Sequence, residues 1–255
     1  MLKAVKKITN VHRLKKLTST LIHDALAEMH SEYPTSSLGH ENRFRTAEYF
    51  LLEARDYVDG AWEMLAIGNT RVSLAISRWT LEAALNLLWV VRNQGETDQR
   101  LADLVGETLR QEANLCEGLA EMRPDQADAF KQRANSARKV KGELGCARLD
   151  SLEKRMKDAK PPEKPDWPDL YVHYRVCSAA SHPGLKVCER FKTVGQATAS
   201  TKASDDTTLT SDMAMWMAAT SAFWLVSFAC SLANTGNAEK LKEWWDAEVA
   251  PLLGN

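Results

Sequence analysis

The residues of this chain best suited to chemistry lie in the stretch from Trp167 to Gly184, WPDLYVHYRVCSAASHPG. Arg175 and His182 stand seven positions apart within it. A guanidinium holds phosphate or carboxylate oxygens by paired hydrogen bonds, and an unperturbed imidazole exchanges a proton near neutral pH. At about 100° per residue, a helix through this stretch gathers Tyr174, Arg175, Ser178, Ser181 and His182 into roughly a third of its circumference. Such a face suits the binding or cleavage of an anion. The structural alternative makes Tyr174, Ser178 and His182 hydrogen-bonded packing groups and pairs Arg175 with a neighbouring helix. Leu170, Val172, Cys177 and Ala180 fall elsewhere on the helix and are expected to face a core.

Elements that must position this face are helical almost throughout. Trp167-Pro168-Asp169 is a helix-start signal and Pro183-Gly184 a stop, and the proline-rich connection at 160–168 delivers the chain to the start. Upstream, Val5, Ile8, Val11, Leu14, Leu17, Leu21 and Ala25 form a narrow apolar stripe from Leu2 to about His30. Residues 34–40 are a turn-rich break. A second helix, Glu41 to Ile67, buries Phe44, Ala47, Leu51, Ala54, Val58, Trp62 and Leu65 and stops at Gly68-Asn69. A third, Thr70 to Asn93, sets Arg78 and Glu82 one turn apart in a run of Leu, Ala, Val and Trp. Charges in such surroundings require partners, so the two are expected to pair with each other or with the polar face of the later helix.

Polar, peripheral helices are expected at 98–112, 114–122 and 124–141, the last carrying Lys131, Arg133, Arg138, Lys139 and Lys141 as a solvated face in preference to a nucleic-acid patch. A short hairpin is conceivable at 187–194, and 195–208 is a Ser/Thr-rich loop expected to be mobile. Met213 to Ala233 contains no charge and is long enough to span a bilayer, but its interleaved Ala, Ser and Thr favour a buried core helix. The tail, Glu239 to Val249, is expected to cap the bundle with Trp244 and Trp245.

Composition narrows the function classes. Thirty-three basic residues against 34 acidic ones carry no global nucleic-acid signature, although the first 23 residues hold Lys3, Lys6, Lys7, Arg13, Lys15 and Lys16 and no acid. The five cysteines are widely spaced, as expected of reduced thiols in a cytoplasmic protein. No glycine-rich phosphate loop, H-E-x-x-H, paired C-x-x-C or G-x-S-x-G occurs, so neither a metal nor another cofactor is expected.

The R-x6-H spacing of Arg175 and His182 near the end of an all-α chain resembles the HEPN superfamily. SRWTLEAALNLLWVV followed by YRVCSAASHPG is also similar to a set of uncharacterised bacterial helical proteins with R-x3-E and Y-x3-S-x3-H signatures, here Arg78/Glu82 and Tyr174/Ser178/His182. The resemblance covers about Glu41 to Ala233. It implies a HEPN-like bundle and a dimer in which the motifs of two protomers meet; with the stripe of the first 30 residues read as an N-terminal helical arm (1–40), the rest (41–255) is expected to be a single bundle domain with peripheral helices. It also implies metal-independent RNA cleavage in a toxin–antitoxin or anti-phage setting. Arg175 would hold the phosphate and His182 would exchange the proton, supported by Tyr174, Ser178, Ser181, Arg78 and Glu82. Val176 departs from the polar residue common after the motif arginine in active members, and other HEPN domains only bind. The alternative is a non-catalytic helical interaction module, with no membrane in either case.

Overall fold

The computed structural model describes residues 2–32, 41–92, 95–159, 170–181, 211–235 and 238–253. Among them the chain is all-α, without a strand. The helices are α1 (Leu2–Glu32), α2 (Glu41–Ala66), α3 (Thr70–Arg92), α4 (Thr97–Met122), α5 (Ala127–Glu143), α6 (Leu152–Ala159), α7 (Leu170–Ser181), α8 (Ser211–Ala233), α9 (Ala238–Trp244) and α10 (Ala250–Leu253). A 3-10 turn precedes α5 and a π-helical turn, Trp245–Val249, links α9 to α10. The turn at 34–40, the connection at 160–168, the hairpin at 187–194 and the loop at 195–208 lie outside the described residues.

Contacts group the chain into two units: unit 1 is Met1–Leu87 with Lys164–Asn255, and unit 2 is Leu88–Glu163. The division falls inside α3. In unit 1, α8 has apolar and small residues on every side, and a helix without a polar face must be enclosed. It is packed by α1 and α2, which also pack on each other. α3 and α8 are both long and apolar enough to cross a bilayer, but most of α8 is buried within the protein.

α1 lies against α2 and α8 because the stripe of Val11, Leu14, Leu21 and Ala25 is buried together with Thr18, Ile22 and Met29. A polar group sealed in this seam is satisfied: Trp62 Nε1–H donates to Thr18 Oγ1 at 2.8 Å, and Thr18 Oγ1–H donates to the Leu14 carbonyl at 2.9 Å. Ser19 donates to Asp59 at 2.6 Å farther along. α2 stops where expected. Gly68 takes φ +79°, its N–H bonding the Leu65 carbonyl and that of Asn69 the Met64 carbonyl, a left-handed cap that glycine adopts without strain. At the other end of the chain Trp245 packs at 4.7 Å on Phe223 of α8.

Unit 2 is built on the α4–α5 pair. Ala113, Cys116, Ala134 and Ala137 form its seam, with Leu109 and Phe130 packed alongside. The break expected between 112 and 114 is absent: α4 runs unbroken from Thr97 to Met122, because its buried side, Gly106, Ala113, Cys116 and Ala120, keeps helical spacing across that point. The basic cluster on α5 is a solvated face stitched to acids, with Arg133 bonding Glu112 at 2.6 Å, Arg138 pairing with Glu117, and Lys139 facing Glu143. α6 follows a Ser151 cap, whose hydroxyl accepts from the Lys154 N–H.

Candidate functional site

α7 carries the stretch singled out by its chemistry, and the fold divides the expected face. Leu170 and Cys177 are buried and define the seam, about 20° apart on the helix circumference. Tyr174 lies about 40° from Leu170 and is half-buried, whereas Arg175 lies about 140° away and is exposed. Val172, expected to face the core, is also exposed, because it lies almost opposite Leu170 and Cys177. Ser178 is half-buried. The side chains of Ala180 and Ser181, and the whole of His182, lie outside the described residues, so the Arg175–His182 pair is not part of the geometry below.

What the fold does bring together is Tyr174 with Arg78 and Glu82. Arg78 Nη2–H donates to Tyr174 Oη at 3.1 Å, and the same nitrogen faces Glu82 Oε2 at 3.8 Å. The charges of α3 therefore pair with each other and meet the later helix. The guanidinium also lies 5.6 Å from the Trp79 ring centroid and 5.4 Å from that of Tyr174, inside cation–π range. Trp79 is stacked on Tyr57 of α2 at 6.3 Å with planes 18° apart, and Tyr171 on Tyr174 at 5.9 Å with planes 19° apart. Trp79 is 54% exposed and Tyr57 41%. On the flank of α7, the His173 ring meets the Trp216 indole edge-on at 4.5 Å.

This group is incompletely satisfied. Arg78 Nε and Glu82 Oε2 are buried without a hydrogen bond, as are the hydroxyls of Ser73, Ser77 and Thr80 elsewhere on α3. Burial pushes the Cys177 thiol up to about 12, so it stays protonated and is no nucleophile at neutral pH. Among the described residues no three His, Cys, Asp or Glu side chains gather as a metal site.

Two sets of residues escape a sequence reading. Tyr57, Trp79 and Tyr171 belong to the surface just described, and no motif or spacing in the sequence marks them. The second set is in unit 2. Arg100 donates from Nε to Glu96 at 3.0 Å, from Nη1 to the Trp89 carbonyl at 2.7 Å and from Nη2 to Asp158 at 2.8 Å. Trp89 Nε1–H reaches Asp158 as well, and the guanidiniums of Arg100 and Arg155 lie 5.0 and 5.7 Å from its ring. The Ser151 cap before LEKRMKDA is the signal that could have revealed α6, which supplies Arg155 and Asp158. Every nitrogen of Arg100 is engaged, as befits a staple holding α4 to α6. No family model matches the chain, and no curated protein or solved structure does so either.

Proposed function

We propose that the chain is an RNA-binding, HEPN-like helical protein that cleaves RNA without a metal, with Arg175 and His182 as its catalytic pair. The observation that carries the reading is the exposure of Arg175 on α7, one residue from the Tyr174 that Arg78 holds. The R-x6-H spacing of the sequence supports it, since seven residues correspond to two turns of an ideal helix. The reaction requires no cofactor. The ribose 2′-oxygen bonds to phosphorus as the 5′-oxygen leaves; the 2′-hydroxyl proton passes to His182 and returns to the departing oxygen, while Arg175 holds the non-bridging phosphate oxygens. The products are a 2′,3′-cyclic phosphate and a 5′-hydroxyl. The resemblance places two such motifs in a dimer, in a cytoplasmic toxin–antitoxin or defence setting.

Incubating purified protein with tRNA or total RNA in EDTA tests the reading. Cleavage that disappears in His182→Ala, with the fold intact by circular dichroism, is the expected outcome; equal cleavage by the variant rejects it. A second reading, a non-catalytic interaction module, is favoured by α4. Leu115 and Met122, two turns apart on one face, are 63% and 77% exposed. A Leu115→Glu variant whose mass in solution falls relative to wild type, in a preparation without nuclease activity, would select that reading.

A further inference from the structure

We propose that the Tyr57–Trp79 ring pair, continued through Arg78, Tyr174 and Tyr171, is a stacking track for unpaired bases of single-stranded RNA. The proposal rests on the RNA reading above and names the part of the RNA that is held. Three observations carry it.

The first is exposure. A tryptophan more than half in water beside a tyrosine two-fifths exposed is an unusual use of large rings in a protein that buries Trp62 completely. The second is geometry. Each ring pair is parallel to within 20°, and the Arg78 guanidinium lies within 6 Å of one ring of each pair. Bases extend such a stack whatever their sequence, because every base has a π-face, and a guanidinium adds cation–π attraction.

Charge is the third. Arg175 lies one turn after Tyr171 on α7 and is exposed. The carboxylate on that side of α3, Glu82, already faces Arg78. Beside Tyr57, Glu53 accepts a hydrogen bond from Tyr49 and Asp56 pairs with Arg55. The exposed Arg175 guanidinium is placed to meet a phosphate of a strand whose bases lie on the rings. A duplex hides its π-faces inside its own stack, so this surface selects unpaired strands.

Fluorescence anisotropy in EDTA, with the full chain, a short labelled oligouridine and an RNA duplex of equal length, tests the proposal. Wild type is expected to prefer the oligouridine, and Trp79→Ala to weaken that binding roughly 5- to 150-fold while Trp79→Phe restores part of it. The midpoint of thermal unfolding should not move, which separates lost stacking from lost structure. Absence of oligouridine binding by wild type, equal binding of the duplex, or unchanged affinity in Trp79→Ala each overturns the proposal. So does a Trp79→Ala variant that changes only the mass in solution, which would make the surface a protein interface. The two readings fail separately: RNA cleavage that needs His182 with normal binding by Trp79→Ala leaves the nuclease and removes the track. Binding that needs Trp79 in a protein without cleavage does the reverse.

Discussion

Two arginines of this chain sit among aromatic rings and carboxylates, and their surroundings differ in one respect. Arg100 of unit 2, with only 9% of its side chain exposed, has all three nitrogens bonded at 2.7–3.0 Å. Arg78 of unit 1 donates to one phenol, faces its carboxylate at 3.8 Å and leaves Nε buried without a bond. A buried guanidinium is stabilising only where its hydrogen bonds replace those lost from water, so the first is a fastener and the second a group in reserve. Among the described residues, unit 2 has no buried side-chain nitrogen or oxygen lacking a hydrogen bond, whereas α3 alone has five on its unit 1 segment. Three of the five, the hydroxyls of Ser73, Ser77 and Thr80, are in the core, and the other two, on Arg78 and Glu82, lie beside the exposed rings.

Removing each arginine is the strongest way to break this comparison. Arg100→Ala is expected to destabilise unit 2 by about 2–4 kcal/mol, since three charge-assisted hydrogen bonds disappear. Hydrogen exchange in α4 and α6 would report it. Arg78→Ala is expected to cost less, about 1–2 kcal/mol by the same measurement on unit 1, since one hydrogen bond and one long ion pair disappear. Equal losses would erase the distinction.

Gly106 sharpens the unit 2 side. A Cβ there would run into Cys146 Sγ and stand 2.8 Å from Cys146 Cβ, so Gly106→Ala should cost about 1–3 kcal/mol of overpacking despite alanine's better helix propensity. Denaturant midpoints with Cys146→Ala as a second change check it: removing the sulfur should recover part of the loss, the 2.8 Å contact with the residue 146 Cβ accounting for the rest.

On the unit 1 side, Cys177 contrasts the sealed edge of α7 with its open one. Its thiol titrates at about 12 in the fold against an ordinary 9.0, raised by burial. Below about pH 9 both folded and unfolded chains keep the proton and stability does not depend on this group. Above it the unfolded chain alone ionises, so stability falls by about 1.4 kcal/mol per pH unit until the folded value is reached. Wild type should therefore lose stability faster than Cys177→Ala between pH 9 and 11 in urea titrations; parallel curves would contradict the burial. The smallest expected effect is the coupling of Arg78 to Glu82. A double-mutant cycle should give under about 0.5 kcal/mol, against about 1–3 kcal/mol for Arg100 with Asp158.

The periodicity of apolar residues was enough to place most helices, the glycine stop of α2 and the pairing of Arg78 with Glu82, because these depend on near neighbours in the chain. The composition of Met213 to Ala233 favoured an enclosed helix over a bilayer span, and its burial against α1 and α2 came from the fold. Spacing alone could not orient α7: its residues permitted a face shared by Tyr174 and Arg175, and only packing of Leu170 and Cys177 turned Tyr174 toward α3 and left Arg175 in water. The continuity of α4 across residue 113 depended on α5 covering its seam. The track of Tyr57, Trp79 and Tyr171, and the engagement of Arg100 by Asp158, join residues from 22 to 114 positions apart. Local sequence sets which side chains can share a helix face, but which faces meet is decided by burial across the whole chain.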